Sequence, residues 1–145
     1  MVAVTLSACG SGPHGPHRSP NLIAPAARYL ELAGSANATI DAAKGRLRTG
    51  TEDLSATEGD LRSIADAKRA FDRDLTSVQF GPAVEPAVRR LLESDAELER
   101  RLDAGALAGT PAELASMSPA ILSAGQTAVS SADAVRRLLG LPSLS

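Results

Sequence analysis

Between Pro20 and Pro142 the apolar residues fall at helical spacing four times over, and Gly or Pro stands at each interruption. The first stretch reads as a helix over 25–48. Its seam is Tyr29, Ala33, Ala36, Ile40, Ala43 and Leu47, spaced 4-3-4-3-4, with Pro25 in the first turn and Gly50 as a stop. Thr51 then reads as an N-cap, with Glu52 and Asp53 at the positive end of a second helix dipole. That helix has the seam Leu54, Leu61, Ile64, Phe71, Leu75 and Val78. Gly81-Pro82 breaks it and starts a third, with the seam Val84, Val88, Leu91, Leu98 and Leu102 and with Asp95 in a seam position. Gly105 and Gly109 mark the next turn. Thr110-Pro111-Ala112-Glu113 is a capping-box signature. Ser118-Pro119 repeats the start signal, which predicts a short helix, a kink and a long fourth helix. The seam there is Ile121, Gly125, Ala128, Ala132, Val135 and Leu139, and Gly140-Leu141-Pro142 reads as its cap and stop.

No run of alternating β-branched residues interrupts this pattern. Amphipathic helices joined by short turns bury their seams most economically as an all-α, antiparallel up-down four-helix bundle, here assigned to 23–141. The small seam residues Ala33, Ala36, Ala43, Gly125, Ala128 and Ala132 predict that the first and fourth helices approach closely. The expected core is therefore narrow, without a roomy pocket. No apolar run is long enough to cross a bilayer.

The chain offers little to catalysis. Its only histidines, His14 and His17, precede the helical region, and Cys9 is its only cysteine. There is no Glu-x-x-His repeat and no glycine-rich phosphate loop, so neither a metal nor a cofactor is expected. A net charge of −2 and an aromatic content of 2% disfavour nucleic acid as a partner. An unrecognised hydrolase would need a serine beside a buried base, and no motif supplies one.

Three polar residues fall on or near a seam: Asn37, Lys68 and Asp95. Folding the second and third helices about the Phe80-Gly81 turn brings Lys68 level with Asp95. Such a pair would be a register-fixing polar layer or a site for a small ligand. A basic set, Arg18, Arg28, Arg89, Arg90, Arg136 and Arg137, gathers by topology at the pole that holds the N-terminus, while acidic residues crowd the other. That asymmetry suits a domain whose basic pole faces anionic lipid.

The reason to think of lipid is Leu6-Ser7-Ala8-Cys9, which has the form of a bacterial lipobox. An aliphatic residue stands three before a cysteine and small residues fill the gap. Residues 1–8 then read as a truncated signal peptide. Residues 9–22 read as the lipidated Cys9 followed by a Gly-, Pro- and Ser-rich tether that buries too little to order itself. A diacylglyceryl group would hold the chain stably at a membrane. Together with Tyr29–Asp41, Ala70–Pro82 and the closing Leu139–Pro142, the lipobox resembles uncharacterised small helical lipoproteins of high-G+C Gram-positive bacteria. The resemblance implies a lipid-anchored domain on the extracytoplasmic face of the cell membrane and assigns no activity. The resulting expectation is a non-enzymatic binding or scaffolding module with an envelope protein as partner. The alternative is a small-ligand carrier or sensor using the polar seam residues.

Overall fold

A computed structural model describes residues 20–49 and 53–144. Cys9, the tether with Arg18, and the expected Thr51 cap lie outside them. After a 3-10 turn at Pro20–Leu22 come four helices: α1 (Ile23–Thr49), α2 (Leu54–Leu75), α3 (Glu85–Gly105) and α4 (Pro111–Leu138). No strand occurs among the described residues, and none of their helices is long and apolar enough to cross a membrane.

The helix ends follow from local chemistry. Asp53 caps α2 from an extended backbone, its Oδ1 accepting from the Ser55 amide at 2.9 Å. Helix α2 stops at Leu75, so Val78, expected on its seam, sits half-buried in the following turn. Gly81-Pro82 opens a turn instead of a helix. The amides of Val84 and Glu85 both donate to the Gly81 carbonyl, and α3 proper begins at Glu85.

Thr110 caps α4, its Oγ1 accepting from the Glu113 amide at 3.2 Å. Glu113 reaches back one residue beyond the usual box, accepting from the Gly109 amide at 2.7 Å. The expected division of this region into a short and a long helix does not occur: α4 is continuous through Pro119. Pro119 is exposed, and the preceding Ser118 hydroxyl donates to the Leu114 carbonyl at 3.0 Å. At the far end Gly140 takes a φ of 66°, which glycine adopts without the steric cost of a Cβ. The amides of Gly140 and Leu141 then donate to the carbonyls of Arg137 and Arg136, and Leu141 is buried. This is a Schellman cap with its apolar contact.

The packed pairs are α1–α2, α2–α3 and α3–α4. Two apolar clusters fill the bundle along its axis. One joins Tyr29, Phe71, Phe80, Leu91, Val135 and Leu139, which places the start of α1, the α2–α3 turn and the end of α4 at one pole. The other joins Ile40, Leu61, Ile64, Leu98 and Leu102 to five buried alanines toward the opposite pole. Polar links cross only some seams. Arg46 clasps the buried Asp60 through Nε at 2.8 Å and Nη2 at 2.6 Å, joining α1 to α2. Arg69 on α2 pairs with Asp103 and Glu99 on α3.

The α1–α4 seam differs from expectation. It is not among the packed pairs, and no hydrogen bond or ion pair crosses it among the described residues. Small side chains permit close approach but do not compel it. Here α1 is held by α2 and α4 by α3, and alanine and glycine are too short to bridge the remaining space.

Candidate functional site

The unclosed seam is a groove of about 600 Å³. Its walls are Ala33 and Ala36 on α1 and Gly125, Ala128 and Ala132 on α4. The floor is the bulky side of the core: Leu61, Ile64 and Phe71 from α2, and Leu91, Leu98 and Leu102 from α3. On α1 the lining runs from Tyr29 to Leu47, about 27 Å at the α-helical rise. A Cβ built on Gly125 meets nothing within 4 Å, so the wall there faces open space. The narrow core expected from the alanine-rich seams is thus replaced by a long apolar slot, and its size lies in the range of small-molecule sites.

Asn37, Gln126 and Ser130 supply uncharged polar groups at the exposed rims. The charged lining residues are Lys44, Lys68 and Arg136, all cationic, and no carboxylate lines the groove. Lys44 lies toward one end on α1 and is exposed, with no ion pair among the described residues. Arg136 lies at the other end, near Tyr29 and Leu144, and its Nε donates to the Pro142 carbonyl at 2.6 Å.

Lys68 is the floor cation. Its Nζ is 2.7 Å from Asp95 Oδ1 and 5.6 Å from the centre of the Phe71 ring. Phe71 in turn meets Tyr29 edge to face at 6.0 Å and 82°. Asp95 is fully buried behind the floor and does not reach the groove. Burial pushes its carboxyl up, opposed by Lys68. Burial and the adjacent Asp95 charge push Asp72 up to about 8, with Lys68 opposing the shift. Asp72 Oδ1 and both Asp95 oxygens are buried without a hydrogen bond, and Lys68 meets Asp95 Oδ1 as an ion pair.

The expected Lys68–Asp95 pair is therefore present, and it is a buried layer joining α2 to α3. Asn37 belongs to a different place, the groove rim. Of the basic set, Arg136 lines the groove, Arg28 pairs with Glu31 at 2.7 Å, and Arg89, Arg90 and Arg137 are exposed. The contact of Asp72 with the polar layer, and the place of Lys44 and Tyr29 in the groove lining, did not emerge from the sequence. The one available signal for Asp72 was its spacing four residues from Lys68 on the same helix. No protein-family model matches the chain, and comparison with curated proteins and with solved structures finds no match.

Proposed function

We propose that this chain is a non-enzymatic binding protein that holds a slim apolar ligand between α1 and α4, tethered at the outer face of a cell membrane by lipid on Cys9. The observation that carries the binding reading is the apolar groove of about 600 Å³, walled by small side chains and floored by large ones. Burying ligand surface there gains roughly 25 cal/mol per Å² of apolar area. The rim amides and hydroxyl orient a ligand without closing the slot. The tether reading is supported by Leu6-Ser7-Ala8-Cys9. The exposed Arg89 and Arg90, at the pole where α1 begins, suit a domain resting on anionic lipid.

Titration with the neutral apolar dye Nile red tests the groove. Wild type gives a saturable rise in dye fluorescence, and Gly125→Leu, which sends a side chain into the slot, abolishes it. Equal dye binding by the two proteins contradicts the reading. A second reading, docking of an envelope protein, is favoured by Leu122 and Val129 on the α4 rim, 68% and 47% exposed and seven residues apart. In that case Leu122→Glu removes partner capture while dye binding persists.

A further inference from the structure

We propose that the ligand is a single-chain fatty acid, its carboxylate held by Arg136 and Tyr29 at one end of the groove and its chain laid along the floor toward Leu47. The inference rests on the groove reading above and adds the ligand's charge and direction.

Charge is the first argument. Every charged residue lining the groove is a cation, in a chain whose net charge is −2. Lys68 is already neutralised by Asp95 at 2.7 Å, and Lys44 stands exposed, where water screens it. Arg136 is half-buried. No carboxylate lies within ion-pair distance of it among the described residues, and only its Nε is engaged, on the Pro142 carbonyl. Its two Nη groups remain as donors in the fork that matches a carboxylate.

The second argument is Tyr29. It lines the same end of the groove and is only 2% exposed. Its hydroxyl has no hydrogen-bond partner among the described residues. The hydroxyl is not among the buried polar atoms that lack a partner, so it opens onto the groove and can exchange a water for a ligand's acceptor. Burial pushes this phenol up to about 12; Arg136 opposes the shift, and Asp95 and Asp133 add to it, so the group stays a donor throughout the physiological range. Asp133 is itself occupied, accepting from the Leu144 amide at 2.8 Å.

The third argument is shape. Walls of alanine and glycine over a floor of leucine, isoleucine and phenylalanine line about 600 Å³ that runs along α1 from Tyr29 to Leu47, room for one chain. The Arg136 fork and the Tyr29 hydroxyl, at the same end, match the two oxygens of a carboxylate.

Calorimetry on the full chain, comparing palmitate with the alcohol of equal length below their aggregation limits, tests the assignment. Tyr29 is the only tyrosine in a chain without tryptophan, so its fluorescence reports the head-group end directly. The acid binds about tenfold tighter than the alcohol, as expected for a hydrogen bond to a charged group. Arg136→Gln removes that preference and leaves alcohol affinity unchanged. Tyr29→Phe lowers it less, and Lys44→Gln keeps it. If Arg136→Gln does not fold, Arg136→Lys (charge kept, fork lost) and Tyr29→Phe carry the test. Equal affinity for acid and alcohol, or a preference that follows Lys44 instead of Arg136, overturns this inference and leaves the groove reading standing. Binding of neither compound, with Nile red also excluded, sinks both.

Discussion

The α2–α3 seam and the α1–α4 seam are built from different materials. Across the first, leucines, Ile64 and Phe71 interlock, Lys68 meets Asp95, and Arg69 ties Asp103 and Glu99. Across the second stand alanines and a glycine, with no polar link. Two glycines condense the contrast. A Cβ on Gly105, at the end of α3, would come within 2.9 Å of Ile121 Cδ1 and 3.1 Å of Leu61 Cδ1, whereas one on Gly125 meets nothing. The lesson is that a small residue has no packing meaning of its own. At Gly105 it admits neighbouring side chains, and at Gly125 it leaves a wall without a partner.

The largest effect is expected where the closed seam is broken. Lys68→Met leaves the fully buried Asp95 without its cation and should cost about 3 kcal/mol in urea unfolding. The double variant Lys68→Met with Asp95→Leu should recover most of that loss, because an apolar pair of similar volume avoids the desolvation of two ions. A double variant as unstable as the single would show that the ion pair is required outright, not merely satisfied.

Next come the two glycines. Gly125→Ala should stabilise by about 1 kcal/mol, the ordinary helix-propensity gain, since its side chain enters free space. At Gly105 the same change should cost up to about 1 kcal/mol, because Ile121 must swing aside. Thermal unfolding that moves both proteins in one direction would erase the distinction between the seams.

A smaller effect is the pH dependence of the polar layer. Asp72 is pushed above its ordinary value, up to about 8. Its stabilising contribution is therefore complete below the unfolded carboxylate range and is lost as pH rises through about 8. Partial exposure screens it, so the loss between pH 5 and pH 9 should be on the order of 1 kcal/mol, and Asp72→Asn should flatten it. Stability that rises over that interval in wild type would contradict the upward shift of Asp72.

Much of this architecture was legible because it is local. The four seams, the Thr110–Glu113 cap and the Gly140 stop are each written within a few neighbouring residues. Lys68–Asp95 could be read because a single turn sets the level of two adjacent helices. The continuity of α4 could not, since Pro119 reads as a start signal and its solvent-exposed setting is a tertiary fact. Nor could the groove. Ala33, Ala36, Ala128 and Ala132 spell the same pattern whether two helices touch or stand apart. The outcome depends on how α2 and α3 hold α1 and α4. Tyr29 read as an ordinary seam aromatic, because its hydroxyl matters only once a groove exists beside it.

The smallest effect on stability belongs to the exposed pole. Arg89→Gln with Arg90→Gln should change unfolding by less than about 0.5 kcal/mol. The same pair should weaken adsorption of an unlipidated Cys9→Ser protein to anionic vesicles, and indifference of adsorption to lipid charge and salt would remove the membrane-facing role.

Whether α1 and α4 enclose free apolar space is decided by the melting temperature of Gly125→Leu. A Tm above wild type is expected, because the new side chain gains helix propensity and enters the open apolar groove. A Tm below wild type would mean that the seam is closed in solution and that the leucine forces it apart.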